Sequence, residues 1–130
     1  MAVRGFRCGA GVGAKAGIGI TIDGAGSAIT TGQKGYVSVP FPCTITGWDV
    51  VADQAGSIHL DIDRKAGGIP NTTSDKISAT PISLSGAQLA QGGSVSGWQT
   101  SIMAGDVLGF NVATVATVQR VTATLRVNKT

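Results

Sequence analysis

Glutamate is absent from this chain of 130 residues, so all seven acidic side chains are aspartates. Leucine occurs only five times, and charged residues make up just 13%. Lacking Glu and poor in Leu, the chain has few strong helix formers, while Thr, Val and Ile favour strands. That excludes a helical bundle, a coiled coil and an α/β enzyme. Aromatics are 5%, too few for the stacking platforms of a nucleic-acid surface. No apolar run approaches the ~20 residues of a membrane-spanning helix. The N-terminus has no apolar core of the kind a signal peptide carries, so the protein is expected to stay where it is made. The two cysteines, Cys8 and Cys43, match no metal-ligand spacing, and both read as buried thiols. Nothing in the composition calls for a cofactor.

What is present is apolar content of 42% and 20 glycines. That is too apolar for a disordered chain, and the length fits one domain. Charge is placed unevenly. The first stretch carries Arg4, Arg7 and Lys15 with no acid, and the last carries Arg120, Arg126 and Lys129 with no acid. All the aspartates lie between, against Lys34, Arg64, Lys65 and Lys76. The net +3 therefore describes two basic ends on an acidic body, not a uniformly basic surface.

Periodicity divides the chain into a Gly-rich basic arm, residues 1–17, and a single β-domain, residues 18–130. Ile18, Ile20 and Ile22 alternate with small residues and start the strand pattern. Further strands are expected over 27–31, 36–39, 43–52, 57–63, 76–84, 94–100, 107–112 and 117–128. Gly47 signals a bulge. Residues 85–91 (SGAQLAQ) read as one helical turn. Short strands with frequent turn signals predict an antiparallel β-sandwich or jelly roll of about eight strands.

Candidate chemistry is sparse. Gly9–Gly13 resembles a phosphate loop only superficially, because Lys15 stands between Ala14 and Ala16 and no strand precedes the glycines. His59, Asp61 and Asp63 share the face of a strand opposite Ile58, Leu60 and Ile62. Successive same-face residues lie about 7 Å apart, so one ion cannot reach all three. Ser57, His59 and Asp61 in a straight row do not converge as a triad must. A solvated face is expected there and no enzymatic activity, although a hydrolase would have to use Asp61 or His59. Trp48 and Trp98, each after a glycine, read as core anchors, with a sugar-stacking platform as the other use.

Several segments carry a resemblance. They are Lys34-Gly35-Tyr36 leading to Val39-Pro40-Phe41, Cys43 to Trp48, Ala52 to Ile58, Gly97-Trp98, and Ala104-Gly105-Asp106. Together they make residues 18–127 similar to a β-rich domain of tailed-bacteriophage virion proteins, as in tail-fibre C-terminal domains and small capsid decoration proteins. The resemblance implies a non-enzymatic structural or adhesive module, usually a homotrimer. No collagen-like or coiled-coil shaft stands before the domain, which favours lattice decoration over a fibre tip. The expectation is a capsid decoration (cement) protein, made in the host cytoplasm and residing on the virion capsid surface. Its partner would be the major capsid protein, with no nucleic acid and no membrane involved. Arg4, Phe6, Arg7 and Lys15 of the arm would meet an acidic capsid surface. The alternative is a tail-fibre tip that binds host glycans through Trp or Tyr platforms and the loop Asn71–Ser74.

Overall fold

A computed structural model describes residues 13–130. Seven strands occur: β1 (Lys15–Asp23), β2 (Gly32–Ser38), β3 (Cys43–Ala66), β4 (Ile82–Gly93), β5 (Ser101–Ile102), β6 (Asp106–Ala116) and β7 (Arg120–Lys129). No helix forms among the described residues. All pairings are antiparallel, and the strands make one sheet in the order β1-β7-β3-β6-β2, with β4 and β5 also on β3. The all-β antiparallel expectation therefore holds. The expected eight strands become seven, and the sheet is continuous and curled into a half-barrel.

The curl is built on β3. Its first half, from Cys43 to Ala52, pairs with β7, and its second, from Ser57 to Ala66, pairs with β6. Two strands expected separately are thus one strand with a crease at Asp53–Gly56. At the crease the register against β4 slips between Val51 and Gly56. Gly56 sits tight against its neighbours, because a Cβ there would stand 2.7 Å from the Ala116 carbonyl oxygen. The bulge expected at Gly47 is present, since the register against β7 shifts between Ile45 and Gly47. That slip moves the inward face from Cys43 and Ile45 to Trp48, Val50 and Ala52.

Both halves send alternate side chains into one core. Ile18, Ile22, Val121, Ala123 and Leu125 come from one half; Leu60, Ile62, Leu108 and Phe110 come from the other. β-branched residues dominate, as fits a pleated, half-buried surface. Trp48 and Trp98 are both buried in this core. Their indole N–H groups donate to the carbonyls of Ser94 and Thr80, which satisfies the one polar atom each ring takes out of water.

Several expectations need correction, and the strand expected over 76–84 begins only at Ile82. Residues 85–91 are extended inside β4, because that segment pairs along β3; Gly86 and Gly92, at φ of +58° and +66°, provide the kinks. Residues 27–31 form a loop, whose Ile29 plugs the core and bonds the Val118 carbonyl through its N–H. Residues 94–100 are a loop, and only Ser101–Ile102 pairs beyond it. The first strand begins at Lys15, so the last residues assigned to the arm belong to the sheet. The rest of the arm, 1–12, lies outside the described residues.

Candidate functional site

Pairing of β1 with β7 brings Lys15 beside Arg126 and Lys129, while Arg120 stands opposite Asp23 at the other end of β7. Lys15 stands opposite Asn128, and Gly17 opposite Arg126. The Gly13 N–H donates to the Lys129 carbonyl at 2.6 Å, and the Lys129 N–H donates to that of Ala14 at 2.8 Å. The Thr130 N–H donates to the Pro42 carbonyl, and the Lys129 ammonium lies 4.8 Å from the centre of the Phe41 ring, within cation–π range. The C-terminus is therefore tied down at the point where the arm leaves.

A shallow depression of about 420 Å³ lies at this corner, lined by Lys15, Ala16, Thr46, Arg126, Val127 and Asn128. Arg126 forms a two-pronged pair with Asp49, Nε to Oδ2 at 2.9 Å and Nη2 to Oδ1 at 2.8 Å. The Arg126 hydrogen bond holds the Asp49 carboxyl below its ordinary range against partial desolvation, with help from the Gly92 N–H. Asp49 in turn raises the Arg126 pKa. Lys15 is exposed and makes no ion pair among the described residues. Of the four residues expected to meet a partner, Lys15 is thus placed at this corner. Arg4, Phe6 and Arg7 lie outside the described residues.

The His59–Asp61–Asp63 row differs from the solvated face expected of it. His59 is exposed, Asp61 is half-buried, but Asp63 is fully buried. The segment after β3 folds back as a strap alongside it, bridging Asp63 and Lys76. The Arg64 N–H donates to the Asp75 carbonyl, the Ile77 N–H to the Ile62 carbonyl, and the Ile62 N–H to the Ser78 hydroxyl. Asp63 Oδ2 receives only a long bond, 3.5 Å, from the Gln33 amide, and Oδ1 has no partner. Burial, with the charges of Asp61 and Asp75 adding to it, pushes the Asp63 carboxyl up to about 6, against the opposing pull of Lys76. Strict alternation in the sequence gives no sign of this cover, because the strap comes from another segment.

The row does not gather into a reaction centre. Ser57 Oγ accepts the Gly86 N–H, Asp61 lies 3.9 Å from the Lys76 ammonium, and His59 faces solvent. Among the described residues no three His, Cys or Asp side chains converge for a metal. Cys43 is a buried free thiol, held in its protonated form by burial and then by the charge of Asp106; Cys8 lies outside the described residues. In the loop Asn71–Ser74 the Asn71 side chain is engaged internally, accepting the N–H groups of Thr73 and Ser74. No family model, curated protein or solved structure matches this chain.

Proposed function

We propose that this chain is a bacteriophage virion structural protein that decorates the outside of the head and stabilises the shell. The observation that carries the reading is the placement of Lys15 beside Arg126 and Lys129 at one corner of the sheet. Lys15 and Lys129 stand there, and Arg4 and Arg7 precede Lys15 in the sequence. A basic anchor at one corner of a small β-domain suits a subunit that grips an acidic lattice and holds its body clear. On this reading the two halves of the curled sheet act as the two layers of a β-sandwich, with the core between them. The role is mechanical, without a catalytic step.

Each copy would bridge neighbouring capsid subunits, burying on the order of 1,000 Å² to be specific. Repetition over the lattice makes modest single contacts collectively strong. The glycan-binding alternative loses its two best platforms, since neither Trp48 nor Trp98 has a face free for a sugar ring. The deciding measurement is copy number per purified particle, by quantitative mass spectrometry against the major capsid protein. Hundreds of copies in a simple ratio support decoration. A few tens would assign the protein to the tail, and absence from the particle would reject both virion roles.

A further inference from the structure

Residues 67–76, which follow β3, form a unit of their own. The Asn71 side chain accepts the N–H groups of Thr73 and Ser74, and the Asp75 carboxylate accepts the Asn71 N–H at 2.7 Å. The Asp75 N–H donates to the Asn71 carbonyl. Little joins this unit to the sheet. The Gly67 N–H donates to the Gly105 carbonyl; beyond it, a single backbone hydrogen bond runs to the sheet among the described residues, from the Arg64 N–H to the Asp75 carbonyl at 3.0 Å. Of the side chains in the unit only Pro70 is buried, and Ile69 is 64% exposed. The next residue, Ile77, is firmly held. Its side chain lies in the core, its N–H donates to the Ile62 carbonyl, and its own carbonyl accepts the Gln99 N–H. Gly67, at a φ of +59°, and Gly68 mark the other end. Fixed ends and a loosely seated middle are the marks of a unit that opens locally.

The unit is seated next to Asp63. On β6 the residue opposite Asp63 is Gly109. Pro70 and Gln33 close on that glycine, since a Cβ there would stand 3.2 Å from Pro70 Cγ and 2.8 Å from the Gln33 amide nitrogen. On its other side Asp63 bridges to Lys76. Its carboxyl is fully buried there, and Oδ1 has no partner. The charges around it are mostly of its own sign. Asp61 from β3 and Asp75 from the unit both oppose its ionisation, and Lys76 alone favours it. Lys76 is shared, with its ammonium 3.9 Å from Asp61 Oδ1. The other cations are engaged elsewhere: the Lys65 stem lies against Gly68, Arg64 turns to Asp106 and the Ser101 carbonyl, and Lys34 of β2 reaches Thr30. Otherwise β6 and β2 bring the uncharged Gly109, Asn111, Gln33 and Tyr36 to this face.

We propose that residues 67–76 are a pH-operated latch, closed on the sheet while Asp63 is protonated and released when it ionises. In the closed form an ionised Asp63 has no donor for Oδ1, and two further carboxylates stand near it. A buried charge without a partner is costly. Swinging the unit out, with pivots at Gly67–Gly68 and at Lys76–Ile77, breaks one backbone hydrogen bond, unseats one proline and admits water to the carboxylate. The direction follows from the proton count. In the closed form the carboxyl is raised from 3.8 to about 6, so this form keeps a proton that the open form, with an ordinary carboxyl, gives up. Opening therefore becomes easier as pH rises from about 4 to 6 and levels off above, by about a hundredfold in all. The core strands and Ile77 are untouched, so the rest of the fold stays in place. The latch stands whether or not the virion reading does.

Amide hydrogen exchange of the full chain, read as protection so that the intrinsic pH dependence of exchange cancels, is the test. The Arg64 N–H should be much less protected than the amides of β7 at every pH, because it opens without them. Its protection should fall on the order of fiftyfold between pH 4 and pH 8. The Ile77 N–H, one residue past the pivot, should stay as protected as β7. Asp63→Asn removes the ionisation and should hold Arg64 protection at its acid value throughout. A second measurement needs no variant. In the natural protein the Asp63 carboxyl ¹³C shift should titrate near 6, and the resonances of Ile69 to Asp75 should move with the same midpoint. Arg64 protection that is flat with pH, or equal to that of β7, overturns the proposal. So does a fall that persists in Asp63→Asn, or an Asp63 midpoint near 4.

Discussion

Asp63 couples stability to pH. Its ordinary carboxyl pKa of 3.8 is raised to about 6 in the fold, chiefly by burial. The folded state thus holds a proton that the unfolded chain releases. This contribution is full below about pH 4 and is lost as pH rises through 6, at a cost of about 3 kcal/mol for that shift. Thermal melts should show stability falling over this window. Asp63→Asn should flatten the fall and melt higher than the natural protein at pH 8. Gly93 is the second sensitive position. A Cβ there would stand 1.9 Å from the Trp48 indole, so Gly93→Ala must displace the ring or the strand. Overpacking of this kind costs about 1–3 kcal/mol, which a denaturant titration would read as a lower midpoint.

The crease of β3 controls the shape at the level of the element. Asp53 Oδ1 accepts the N–H groups of Gln119 and Arg120, and the Gln54 amide donates to the Thr117 carbonyl. These bonds join the crease to the turn between β6 and β7, where Thr117 adopts a φ of +77°. Asp53→Ala should lower the melting temperature and speed hydrogen exchange at Gln119 and Arg120, while the amides of β2 stay protected. The strand itself was legible only in pieces. Alternation marks Ile58, Leu60 and Ile62 plainly, and Gly47 announces its bulge. Asp53-Gln54-Ala55-Gly56 reads as a break because it is polar and small. It continues the strand because β4 pairs on either side of it, at Val51 and Gly56, and side-chain bonds from Asp53 and Gln54 hold it to the β6–β7 turn. Pairing along β3 likewise makes a strand of Ser85–Gln91.

For the whole molecule, the decisive feature is how the fold redistributes charge. The ends are basic in sequence, and β1–β7 pairing brings Lys15, Arg126 and Lys129 to one corner. If the arm grips an acidic lattice electrostatically, replacing Arg4 and Arg7 with Ser should weaken binding to capsids, most visibly at low salt. Binding of the natural protein should fall as salt shortens the screening length from about 10 Å at 0.1 M toward 3 Å at 1 M. Co-sedimentation with purified heads across a salt series measures both, and a flat response would reject the electrostatic contact. Of the candidate site, Lys15 and the charge asymmetry were legible in the sequence. The corner was not, because it joins residues from opposite ends of the chain.

The sequence by itself determined that this is a small all-β chain: it lacks Glu, is poor in Leu, and places Ile, Val and Thr with a period of two. It also determined the inward faces of β1 and β7, where alternation is unbroken. Tertiary structure decided the rest. Period-two patterning fixes which face of a strand is buried but not which strand lies beside it. Hence the joining of two strand segments into β3, the burial of Asp63, and the facing of β1 and β2 across the curl emerge only once the sheet is assembled.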